Sequence, residues 1–81
     1  MADTSWKQDP EFLRHRHGFL RLVRSTPDVT RALVVERFGE ELADQLIERC
    51  YAEMEIDRHD DVITLTKRGQ TYLDNLETGR G

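Results

Sequence analysis

The apolar period changes once along this chain, and that change limits the fold more than any other feature. Up to about residue 53 the apolar residues recur at helical spacing. Ala43, Leu46, Ile47, Cys50 and Met54 follow i, i+3, i+4, i+7, i+11. From Met54 the pattern alternates instead. Met54-Glu55-Ile56-Asp57-Arg58 and Val62-Ile63-Thr64-Leu65-Thr66 both read as strands, and the polar turn His59-Asp60-Asp61 joins them as a hairpin. A lone hairpin is marginal in water, so these strands need helices to pack on.

The helices are delimited by their caps. Asp9-Pro10-Glu11 is a start signal: a capping carboxylate, a proline suited to the first turn, and an acid that complements the helix dipole. The first helix is predicted over 10–25, with Phe12, Phe19, Leu22 and Val23 in one arc, Leu20 at its margin and Arg16 intruding on it, its stem running along the core edge. Ser25-Thr26-Pro27-Asp28 starts a short second helix, 28–38, with Val29, Ala32, Leu33 and Val35 as its apolar positions, Val34 on its outer side and Gly39 as its stop. A third helix follows over 40–53. Thr66 caps a last one over 67–77, with Tyr72, Leu73 and Leu76 inward. Residues 1–9 are assigned to a flexible N-terminus and 78–81 to a flexible tail. The expected core is Leu33, Phe38, Leu46, Ile47, Ile63, Leu65, Tyr72 and Leu73.

This order, ααα-ββ-α over residues 10–77, is that of a small α+β domain. The run Thr30-Arg31-Ala32-Leu33-Val34-Val35-Glu36-Arg37-Phe38-Gly39 and the helix directly after it resemble a helix-turn-helix pair. Ile63-Thr64-Leu65-Thr66-Lys67-Arg68-Gly69-Gln70-Thr71-Tyr72-Leu73 is similar to the segment that leaves the wing in many prokaryotic winged-helix regulators. The resemblance to the winged helix-turn-helix family implies a winged-helix-like domain, with the 40–53 helix and the 57–62 wing as the elements that approach DNA.

Charge argues against that use. The chain has 12 basic and 16 acidic residues, a formal charge of −4. The 40–53 helix carries Glu40, Glu41, Asp44, Glu48 and Glu53 against Arg49 alone, and the wing sets Asp57, Asp60 and Asp61 against Arg58. Both elements that would meet phosphate have the wrong sign. Helix one differs: Arg14, His17, Arg21 and Arg24 form a basic stripe roughly 80° wide. The leading reading is therefore a non-enzymatic regulatory protein that acts by protein–protein contact. Its surface is the acidic helix (Glu41, Asp44, Glu48), the basic stripe, or both, and its partner is another protein or a second copy. The alternative is a DNA-binding regulator that reads bases with Gln45 and Arg49 and holds its wing with Arg58.

No pattern of chemistry competes. His15 and His17 diverge by about 200° on a helix and cannot share a metal. His59-Asp60-Asp61 reads as turn chemistry. Cys50, the single cysteine, lies on an apolar face, where a buried inert thiol is expected, and excludes a disulfide within the chain. The reading is of a reduced, cytoplasmic protein with no cofactor, no small-molecule substrate and no membrane span. Trp6 stands outside every element and is expected to fold back beside helix one or to anchor a partner.

Overall fold

A computed structural model describes residues 5–79; the assignments made above to residues 1–4 and 80–81 lie outside the described residues. The chain forms an α+β domain with a winged-helix-like layout. A turn of 3-10 helix at Ser5–Gln8 leads into α1 (Pro10–Ser25), β1 (Val29–Thr30), α2 (Arg31–Phe38), α3 (Glu40–Ala52), β2 (Ile56–His59), β3 (Val62–Leu65) and α4 (Lys67–Glu77). The strands form one antiparallel sheet in the order β1-β3-β2, with Val29 opposite Ile63 and Ile56 opposite Leu65. No described helix is long and apolar enough to cross a membrane.

The caps set most boundaries. Asp9 accepts the amides of Glu11 and Phe12, and Thr66 accepts that of Gly69 at 3.0 Å. Helix two is shorter than the sequence suggested. Asp28 takes a positive φ of 53°, which breaks the chain ahead of Val29. Val29 is then extended and pairs with Ile63, and Thr30 caps α2 by accepting the amide of Leu33 at 3.3 Å. With Val29 in the sheet, the remaining apolar arc centres on Val34. This corrects its expected outward position: Val34 is fully buried, while Ala32 is exposed.

A second correction falls at the end of α3. Met54 continues neither the helix nor a strand. It turns left-handed (φ 61°) and is 67% exposed, and Glu55, expected on the polar face, is buried beside Ile56. The amides of Met54 and Glu55 fold back onto the carbonyls of Tyr51 and Cys50 at 3.0 and 2.9 Å, so the strand starts only at Ile56, which faces the core as the alternation predicts.

The core contains Phe12, Phe19, Leu20, Val23, Val29, Val34, Leu46, Ile47, Ile56, Ile63 and Leu73, with Ala43 and Cys50. Leu20 is thus central rather than marginal. Four of the expected core residues, Leu33, Phe38, Leu65 and Tyr72, are only half-buried around its edge.

Within this core lies an ion pair. Arg16 and Glu55 are 6% and 3% exposed. Nε of Arg16 donates to Oε1 of Glu55 at 3.0 Å and Nη2 donates to Oε2, a bidentate contact. Arg16 was expected to run along the core edge; Glu55 draws its head group inside. Burial pulls the Arg16 pKa down, but the hydrogen bond and charge of Glu55 outweigh it and leave the pKa raised. The guanidinium also lies over the rings of Tyr72 and Trp6, at 4.1 and 5.3 Å from their centroids. Trp6, outside every element in the sequence reading, sits in the 3-10 turn and packs edge-on against Phe12 at 5.3 Å.

Gly69 lets α4 approach this junction. A Cβ there would stand 2.1 Å from the Glu55 carbonyl oxygen, which already accepts the Thr66 amide at 3.1 Å.

Two stability measurements follow. Arg16→Ala leaves a buried carboxylate unpaired and should cost about 3–5 kcal/mol in urea unfolding, whereas Arg16→Met with Glu55→Leu should be close to neutral. Gly69→Ala should cost about 1–3 kcal/mol, since the backbone it meets cannot rotate away.

Candidate functional site

Helical spacing places Glu41, Asp44 and Glu48 on one stripe of α3, and Tyr51 continues it toward the helix end. All four are exposed, Tyr51 to 51%. Asp44 is held in place: Nε and Nη2 of Arg31 donate to its two carboxylate oxygens at 2.8 and 3.1 Å. Arg31 also lies 3.8 Å from Glu40. The hydrogen bond from Arg31 keeps the Asp44 carboxyl below its usual range. Among the described residues Glu41 and Glu48 have no ion-pair partner.

The three residues proposed for base reading do not converge. Arg58, on β2, lies on one flank of the stripe and lines a shallow depression with Arg31, Asp44 and Glu48. Its backbone amide donates to Asp57 at 2.8 Å. Arg49 lies on the opposite flank and turns inward. Its guanidinium rests 4.7 Å from the Phe12 centroid and 5.5 Å from that of Trp6. Gln45 is half-buried between Leu42 and the start of α1. Carboxylates therefore occupy the crest of α3, with the candidate readers displaced to either side.

The basic stripe of α1 is divided. Arg24 donates to both oxygens of Glu77 at 2.7 and 2.9 Å and lies 3.8 Å from Asp74. Arg21 reaches the same Glu77 at 3.3 Å. His17 is half-buried, and its Nε2 is buried without a partner among the described residues. Of these four, only Arg14 is both exposed and without an ion pair among the described residues. Two of the four stripe residues thus pair with carboxylates of α4.

The remaining candidates for chemistry are dispersed. Burial pushes the Cys50 thiol up to about 12, assisted by the nearby Glu55 charge, which keeps it protonated near neutrality. His15 is edge-on to Phe38 at 6.2 Å, and His59 stands 3.4 Å from Asp57 on the wing. Among the described residues no three His, Cys, Asp or Glu side chains gather as a metal site.

Sequence reasoning missed three partners: Arg31 for Asp44, Glu77 for Arg24, and the aromatic pair for Arg49. The Arg24–Glu77 contact spans 53 positions and the Arg31–Asp44 contact 13, and periodicity carries no signal for either. No family model matches this chain, nor does any curated protein or solved structure.

Asp44, Glu53 and Glu77 all have pKa values lowered chiefly by a hydrogen bond, from Arg31, Lys7 and Arg24 respectively. A depressed folded pKa gives stability that is present above the unfolded carboxylate range of about 4 and lost as pH falls through the folded values. Urea midpoints should thus hold steady from pH 7 to about 5 and fall below about 4, less steeply in Arg24→Gln. Trp6, the only tryptophan, reports on Arg49: Arg49→Ala should change its emission without unfolding the chain.

Proposed function

We propose that the chain is a small, non-enzymatic regulatory module that works by protein–protein contact, with the carboxylate crest of α3 as its contact surface. One observation carries this reading. The helix that would enter a DNA groove has Glu41, Asp44 and Glu48 along its exposed crest, while Arg49 is stacked inward on Trp6 and Phe12. Bringing that crest against phosphates would bury like charges together, and the counterion release that drives nucleic-acid binding needs Lys and Arg on the facing surface. Against a basic protein surface the same carboxylates steer encounter and fix register.

The layout and the Ile63–Leu73 segment support placing the chain among prokaryotic winged helix-turn-helix domains. On that placement the scaffold keeps its shape and exchanges its ligand, which a shared fold permits. The single thiol, buried and held protonated, suits a reducing cytoplasm.

The test is an amide-shift titration of labelled protein with mixed-sequence duplex DNA at low salt. Resonances of α3 and of the 57–62 wing should not move at tens of micromolar DNA. Movement confined to those two elements, and lost in Arg58→Ala, would replace protein contact with DNA binding.

A further inference from the structure

The carboxylate crest leads directly into Tyr51 and Met54, the two large apolar side chains left exposed among the described residues, at 51% and 67%. Beyond them lies positive charge. The Met54 carbonyl accepts the Thr66 hydroxyl at 2.6 Å, and Thr66 caps α4, whose first two residues are the exposed Lys67 and Arg68. Arg68 is close enough to Glu53, beside Met54, to help lower its pKa, although the hydrogen bond from Lys7 is the larger cause. Among the described residues Lys67 and Arg68 have no carboxylate within ion-pair distance. The surface therefore runs in one direction from acid, through an aromatic and a thioether, to base.

A strip of that kind is complementary to itself. A two-fold axis through its apolar middle sets the acidic end of one copy against the basic end of the other, and makes both pairings at once. We propose that the partner of the α3 surface is a second copy of this chain, docked about Tyr51 and Met54, with Glu41 and Glu48 of each copy facing Lys67 and Arg68 of the other. This rests on the protein-contact reading and specifies its partner. Charge complementarity is the argument: Glu41 and Glu48 on one side of the exposed apolar pair, and Lys67 and Arg68 on the other, have no ion-pair partner among the described residues. Tyr51 and Met54 supply the desolvated centre, since an aromatic ring and a flexible thioether suit a small adaptable contact. Asp44 stays with Arg31 in its own chain and is left out of the pairing.

The experiment is a charge swap read by sedimentation velocity, with circular dichroism to check folding. The acid-to-base variant carries Glu41→Lys and Glu48→Lys. The base-to-acid variant carries Lys67→Glu and Arg68→Glu, which places acids in the first turn of α4, where the helix dipole tolerates them. The native chain should dimerise at sub-millimolar concentration, and about 1 M salt should weaken it, since screening then acts within about 3 Å. Each variant alone should sediment as a monomer, its dissociation constant raised at least about tenfold by like charges. An equimolar mixture should form a heterodimer, because both mismatches become matches. Met54→Asp should abolish dimerisation without unfolding the chain.

A native chain that stays monomeric across this range, variants that dimerise as well as the native chain, or a mixture that stays monomeric would each overturn self-docking. Those outcomes would leave protein contact with a different basic partner standing, because the DNA titration decides that reading separately.

Discussion

The Arg16–Glu55 pair is the interaction on which the rest of the arrangement depends. It joins the middle of α1 to the residue between α3 and β2, 39 positions away. Two charges removed from water are costly, and only good geometry with further partners offsets the cost. Here the geometry is bidentate, and the guanidinium lies against Tyr72 of α4 and Trp6 of the 3-10 turn. Four parts of the chain thus meet on one side chain. An apolar pair of similar volume would pack as well, but with a carboxylate at position 55 it is Arg16 that lets the side chain face inward. That pairing exchanges the places of Met54 and Glu55, while Ile56, the first residue of β2, keeps the inward position that alternation gives it. Gly69 belongs to the same constraint, because α4 must close on the Glu55 carbonyl without a side chain between them.

How far the sequence could be read follows from this junction. α1 and α4 match their predicted bounds, because Asp9-Pro10 and Thr66 are local signals that act within three residues. The hairpin was legible from alternation. β1 was not: two residues carry no period, and Val29 is extended only because Ile63 stands opposite. Val34 was misplaced for the same reason, since counting Val29 as helical rotates the apparent apolar arc. Met54 and Glu55 show the limit most clearly. Alternation assigns them to opposite faces but leaves open which is which, and a positive φ at Met54 with an arginine from α1 gives the reverse of what hydrophobicity suggests.

The candidate site was legible in composition and illegible in geometry. That α3 is acidic could be counted. That Arg49 would leave the crest could not, because its aromatic partners come from the 3-10 turn and the first turn of α1. The same is true of the basic stripe, whose spacing on α1 is as expected but whose Arg21 and Arg24 meet Glu77 on α4. A helical stripe of charge shows that residues share a face. It does not show whether that face meets solvent or a neighbouring helix.

These pairings decide what surface remains. The fold uses Arg16, Arg24 and Arg31 against its own carboxylates and Arg49 against its own rings, so the charge left outside differs from the charge in the sequence. On α3 the arginine lies to the side and the carboxylates form the crest; at the start of α4 Lys67 and Arg68 have no ion-pair partner among the described residues. Exposed ion pairs contribute little to stability, so their main effect here is subtractive, cancelling charge on some faces and leaving it on others. Between the crest of α3 and the start of α4, the left-handed turn that turns Glu55 inward leaves Met54 in water one turn from Tyr51. The same backbone reversal that completes the core thus also creates the exposed apolar pair.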